Sequence, residues 1–446
     1  MRRLLIAAVL VALIVPSAAM AVPDVQHWQT EGGTRVAFVP ARELPIVDVR
    51  VVFDAGAARD GDSPGLAGLT NNLLLEGTDA ASAGEIARRF EQVGARVSTG
   101  SARDMAWVHL RSLSRGENLD AAVGHLAGVL AAPAFEQTAF ERVREQMQVS
   151  LRYAKQDPGD RAGRAFMRAL FGDHPYASPP AGTREGLAAI ERADVRAFHE
   201  RYYGAANATI AIVGDLDRDR AEALARELAS ARPAGEAAPA LPPTPELDSS
   251  RTVRVPFDST QTHVIIGQPA VARGDERWVP LYLANHALGG GGMVSILTER
   301  MRDERGLSYN SSSGLSAAAA GGWFQMDTEV RNSALDEALT VLRETLQQFH
   351  DKAPAPERLE LARRNITGSF PLNFDSNRDL VSYIAMIAFY DLPPDYLQRF
   401  RDDIGAVSAE RVGDVFGAVI DPGRQITVLV GPAEIIGAGG SDGGDS

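Results

Sequence analysis

The order of helices and strands in this 446-residue chain occurs twice. One helical stretch, Asp194-Val195-x-x-Phe198-His199-x-x-Tyr202, runs into an apolar, β-branched strand, Ala208 to Gly214. The pairing returns near the end, where Arg411-Val412-x-x-Val415-Phe416 precedes Gln425 to Gly431. Val195 to Val213 and Val412 to Val430 share one spacing, offset by 217 residues. Each half also opens on period-two strand sequence: Val36 to Pro40 and Ile46 to Ala55, then Arg251 to Pro256 and Thr262 to Gln268. Helices follow at 64–76 and 277–288, and again at Ala83 to Val93 and Ser295 to Arg305, each ending before a Gly. Strands Arg103 to Leu113 and Gly322 to Val330 come next, with long helices at 117–130, 136–156, 333–349 and 356–369. One matching pair is coincidence; an ordered series is duplication. The pattern predicts an α+β protein of two homologous domains, each an antiparallel β-sheet packed against helices.

The divider is the Pro- and Ala-rich stretch 231–249, which reads as an extended, fairly stiff connector. It separates residues 22–230 from 250–436. Residues 437–446, rich in Gly and Asp, lack the apolar surface to order themselves and read as a flexible tail. At the other end, Met1-Arg2-Arg3, an apolar run from Leu4 to Val15 and Ala19-Met20-Ala21 form a signal peptide over 1–21. The run is shorter than the roughly 20 residues that cross a bilayer, so the expectation is export to the periplasm without stable membrane insertion. The chain has no Cys, which excludes disulfides and thiolate metal sites and leaves stability to packed cores. A formal net charge of −13, with no dense basic stripe, argues against nucleic acid as a partner.

Three segments carry chemistry. Gly65-Leu66-Ala67 leads into the first helix and Glu76-Gly77-Thr78 leaves it. In the second half, Leu288-Gly289-Gly290-Gly291-Gly292-Met293 is followed by Met301-Arg302-Asp303-Glu304-Arg305-Gly306-Leu307-Ser308-Tyr309. In these segments the chain resembles the M16 metallopeptidases, the group of pitrilysin, mitochondrial processing peptidase and insulin-degrading enzyme. The resemblance spans essentially the whole mature chain and implies the same two-domain α+β fold.

In active members of that family, a His-x-x-Glu-His helix holds zinc and positions the attacking water, and a Glu roughly 75 residues later completes the metal shell. Here the first His position is Gly68, the Glu position is Asn71 and the second His position is Asn72. The distal Glu falls near Val149 or Ser150, with Glu145 about one turn away. No such motif recurs among the eight His. His174, His199, His263 and His286 read as packed or solvent-facing side chains. The sequence therefore assigns no metal to this chain.

What remains is Arg302 and Tyr309. The resemblance implies that they act as a clamp on the scissile carbonyl in a site whose metal another chain holds. Read from the residues alone, Arg302 near a helix C-terminus is also favoured by the dipole, and Tyr309 is able simply to pack. Gly289, Gly290, Gly291 and Gly292 resemble a substrate-handling loop of noncatalytic processing-peptidase subunits; alone, they read as a flexible turn. The leading expectation is a noncatalytic subunit of a heteromeric periplasmic zinc peptidase. Its partner would carry His-x-x-Glu-His and the zinc, and the substrate would be a peptide or unfolded polypeptide. Two alternatives stand beside it: a peptide-binding or assembly protein without catalytic contribution, and a self-sufficient metallopeptidase with an unrecognised metal site.

Overall fold

The computed structural model describes residues 23–437 except Gly116 and Ala353. The expected signal peptide and residues 438–446 of the tail lie outside the described residues. In the first half, the strands are β1 (Gln26–Gln29), β2 (Arg35–Pro40), β3 (Ile46–Phe53), a short ribbon of β4 (Gly77–Thr78) and β5 (Ala81–Ser82), β6 (Arg96–Ser101), β7 (Ala106–Leu113) and β8 (Ala208–Gly214). All but the ribbon form one sheet in the order β1-β2-β8-β3-β7-β6. The second half contributes β9 (Arg251–Pro256), β10 (Gln261–Ala270), β11 (Ser311–Ala317), β12 (Gly322–Arg331) and β13 (Ile426–Gly431), ordered β11-β12-β10-β13-β9.

The duplication is therefore literal: β2-β8-β3-β7-β6 and β9-β13-β10-β12-β11 are the same arrangement, and β1 is an addition to the first. Each sheet departs from the expected antiparallel pattern at one place. β2 runs parallel to β8, and β9 parallel to β13. The last strand of each domain returns beside an early one, β8 beside β2 and β13 beside β9, after a long helical excursion, and a crossover of that length permits parallel pairing.

The central strand β8 is buried along its whole length. Ile210 and Ile212 face the helices of their own domain. Ala211 and Val213, on the opposite face, pack into the core of the other domain. The covering element is the helix Asn377–Phe389, capped by Ser376, which buries Val381, Ile384, Ala385 and Ala388. The converse also holds. The first domain's helix Pro158–Phe171, capped by Asp157 and begun by a proline, buries Ala162, Phe166 and Leu170 at four-residue spacing. Those side chains pack with Ile265, Ile426, Val428 and Val430 of the second sheet. Each domain lends the other a helix, so neither sheet is closed without its neighbour.

Polar contacts fasten the exchange. Arg35 donates to the Phe389 carbonyl at 3.1 Å, and Arg50 to Ser382 Oγ at 3.0 Å. Buried Asp104, in the β6–β7 hairpin, accepts from Tyr390 Oη at 2.9 Å and from the Ala319 N–H at 2.8 Å. The stretch 231–249 has no helix or strand but is not a free spacer. Ala205 and Ala206 donate to the carbonyls of Pro233 and Ala234, Arg59 donates to Pro239 O, and Leu241 and Leu247 pack at the domain interface. No helix among the described residues is long and apolar enough to cross a membrane.

Candidate functional site

The helix corresponding to the metal-bearing one is Leu66–Leu73. Its start is held by buried Asp60, which accepts from the N–H groups of Gly65 and Ala67 and from Ser178 Oγ, all at 2.8 Å. Burial outweighs these three donors and pushes the Asp60 carboxyl up to about 6. Gly65 adopts φ 106°, and a side chain there would press on Leu187.

Gly68, Asn71 and Asn72 do lie beside one another on the helix, but Pro180 and Met147 crowd the space in front of Gly68. A Cβ at Gly68 would sit 3.0 Å from the Pro180 carbonyl oxygen and 3.5 Å from Met147 Cε. Asn72 is exposed, with its amide 3.6 Å from Met147 Sδ. The side chain opposite the two His positions of the motif is thus Met147, two or three residues before the expected Val149 or Ser150. Ser150 is exposed and donates to its own helix at Gln146 O. Spacing along the sequence located the facing helix but not its rotation, and a helix advances 100° per residue.

Asn71 has a different task. Fully buried, its amide donates to the Gly100 carbonyl on edge strand β6 at 2.7 Å and accepts from Tyr203 Oη at 3.1 Å. The second domain repeats this joint. Asn285, at the end of the helix Trp278–Asn285, donates to the Ser313 carbonyl on edge strand β11 at 3.3 Å. Position 71 therefore joins helix to sheet in the manner of the equivalent position in the second half. The residues do not fit a zinc ion: one position has no side chain, one amide is committed to the fold, and the third ligand is replaced by a thioether. Among the described residues, no group of three or more His, Cys, Asp or Glu is placed to hold a metal.

The four histidines have local explanations. His174 Nδ1 accepts from the Tyr176 N–H and His263 pairs with Glu329 at 3.2 Å. His199 is buried next to Arg232, and burial with that charge pushes it down to about 3. His286 is partly buried, which also lowers its pKa.

In the second domain the expected helix 295–305 is instead a single turn, Ile296–Thr298, opening into a wider π-turn, Glu299–Asp303. Leu297 and Met301 both reach the core, while Arg302 emerges at the surface. Gly306, at φ 60°, turns the chain toward Tyr309, two residues before β11. Tyr309 is 82% exposed, and the Arg302 guanidinium lies over its ring at 4.7 Å. No carboxylate among the described residues pairs with Arg302, although Arg305 and Arg358 nearby have Glu304 and Glu299. Beside Tyr309 opens a cavity of about 460 Å³ against the second sheet, with His263, Gln325, Asp327 and Glu329 on its wall.

The glycine run is packed, not loose. A side chain at Gly289 would collide with the backbone of Ser313 on β11, at Gly290 with the Asn285 amide (2.7 Å), and at Gly291 with the His286 carbonyl (2.7 Å). Gly292 faces open space but takes φ 60°. These residues allow the close approach of helix end to edge strand; the sequence signal for that role was the run itself, which fits a packed joint as well as a loop.

This arrangement defines a duplicated α+β protein of the peptidase type whose metal-bearing helix has no metal ligands. Residues 35–184 match the family described as Insulinase (Peptidase family M16), and residues 189–366 match Peptidase M16 inactive domain. The structure of a peptidase M16 inactive domain from Pseudomonas fluorescens is similar at 34% identity and a TM-score of 0.88, covering 92% of this chain and 98% of that one. The chain belongs to the M16 peptidase family. It is 28% identical over 361 residues to an uncharacterized zinc protease of Mycobacterium tuberculosis, spanning 79% of this chain and 81% of that protein. It is 24% identical over 381 residues to a non-peptidase homolog of Helicobacter pylori, spanning 84% and 86%. The family boundary at 184–189 cuts across the first domain, since β8 lies in the middle of the first sheet.

Proposed function

We propose that this protein is the noncatalytic subunit of a heteromeric M16 zinc peptidase of the periplasm. A partner chain supplies His-x-x-Glu-His and zinc; this chain supplies Arg302, Tyr309 and half of the peptide chamber. The observation that carries the reading is the contrast between the two halves. The positions of the metal motif hold Gly68, Asn71 and Asn72, faced by Met147, whereas Arg302 has no acidic partner among the described residues and stands with Tyr309 at an open surface. A guanidinium and a phenol so placed are hydrogen-bond donors for a carbonyl oxygen that becomes negative during peptide cleavage. The polar cavity beside Tyr309 gives room for neighbouring peptide groups.

The test is peptide cleavage by the purified chain combined with a zinc-bearing M16 chain from the same genome. Neither this chain's Arg302→Ala nor its Tyr309→Phe variant should disturb assembly, and each should lower kcat about 10²-fold, the usual loss for one such donor. Turnover unchanged by both substitutions would reject the shared site and leave the binding or assembly role. Tightly held, stoichiometric zinc in the isolated chain would reject the reading altogether.

A further inference from the structure

The Arg302 guanidinium has a second neighbour that the proposed clamp does not include. Its Nη1 lies 2.9 Å from Met293 Sδ. Met293 is 66% exposed, an unusual place for so apolar a side chain, and no hydrophobic cluster among the described residues includes it. We propose that Met293 is a positioning residue for Arg302, holding the guanidinium against the Tyr309 ring.

Three observations support this. The backbone that presents Met293 is fixed: the Gly292 carbonyl accepts from the Ser295 N–H at 3.0 Å and from Thr298 Oγ1 at 2.9 Å, and Ser295 Oγ bonds to Thr298 Oγ1 at 3.1 Å. Gly292 reverses the chain at φ 60°, which directs the next residue outward after the packed glycines. Arg302 itself has four side-chain torsions and, among the described residues, no carboxylate to hold it, so a half-buried guanidinium at the surface would otherwise sample several rotamers. A thioether is a weak acceptor. It restrains the cation without neutralising it, unlike a carboxylate, which would occupy the donors that a substrate carbonyl needs. The glycine run thereby acquires a use: it carries Met293 to the arginine.

The functional consequence rests on the proposed clamp, but the contact can be tested without a partner chain. Phenylglyoxal labels accessible arginines, and peptide mapping of the full-length protein gives the rate at Arg302 relative to exposed Arg364 in the same sample. Met293→Ala should raise the relative rate at Arg302 at least about threefold, with the unfolding midpoint unchanged. Met293→Leu, which keeps the bulk but not the acceptor, should behave like Met293→Ala. Met293→Gln, with an amide oxygen of similar reach, should restore slow labelling. Equal labelling in Met293→Ala and the parent protein would overturn the inference, as would slow labelling in Met293→Leu. If the positioning stands but Arg302→Ala leaves turnover intact in the assembled peptidase, the clamp fails and the contact does not.

Discussion

Replacing Asn71 by Leu separates two histories for the position at which an active relative carries its general base. If Asn71 is only an eroded catalytic residue, the change should be nearly neutral. The structure requires otherwise. Leu keeps the branched outline of Asn, with bulkier methyl groups, and removes the bonds to Gly100 and Tyr203 together with the longer 3.5 Å one to the Trp107 carbonyl. Tyr203, fully buried and with its ionised form strongly disfavoured by burial, loses the acceptor of its hydroxyl. The Gly100 carbonyl loses its 2.7 Å donor. A buried, unpaired polar group costs about 1–3 kcal/mol, and a net hydrogen bond at the partly buried carbonyl adds about 1 kcal/mol. The expected loss is therefore about 2–4 kcal/mol. Urea unfolding followed by tryptophan fluorescence reads it as a lower midpoint at unchanged slope. A double-mutant cycle with Tyr203→Phe sharpens the result. That change alone strands Asn71 Oδ1, whereas the pair of substitutions leaves neither partner unpaired, so the double variant should lose at least about 1 kcal/mol less than the sum. A cost below about 0.5 kcal/mol for Asn71→Leu, or strict additivity with Tyr203→Phe, would refute the structural role.

Asp60 gives a pH signature. Its folded-state pKa of about 6 exceeds the ordinary carboxyl value, so the native state binds this proton more tightly than the unfolded chain. The contribution is fully present below about pH 4 and is lost as pH rises through about 6; a two-unit shift corresponds to roughly 3 kcal/mol. Stability relative to Asp60→Asn should fall by that order between pH 4 and 7, and a rise would mean that the Gly65 and Ala67 N–H groups outweigh burial. Phe166→Ala removes the ring that fills the space beside Gly267 of the opposite domain. It should cost about 3–5 kcal/mol and lower one shared unfolding transition; two separated transitions, only one of them shifted, would show that the domains are not coupled by the exchanged helix.

Much of the fold can be read from local pattern. The segments Arg35–Pro40, Ala83–Gln92, Glu117–Ala131, Pro356–Ser369 and Ile426–Gly431 appear within a residue or two of their sequence boundaries, because side-chain periodicity and caps act over a few residues. The site was legible in composition and less so in geometry. Gly68 and Asn72 mark the replaced ligands and Asn71 the replaced general base by their identity, and Arg302 and Tyr309 do meet. Met147, Met293 and the Asn71–Tyr203 bond had no sequence signal, since each depends on how one element is rotated against another.

By itself, then, the sequence determined the duplication, the element order, the family likeness and the replacement of the His-x-x-Glu-His residues, all of which follow from residue identity and short-range spacing. Only the tertiary structure decided where the apolar stripes go. Ala162, Phe166 and Leu170 announce a buried face, and so do Val381, Ile384 and Ala388, but neither stripe states that its cover is the other domain's sheet. Hydrophobic burial is non-directional. A stripe specifies that it must be covered, and the choice of cover is settled by the packing of the whole chain.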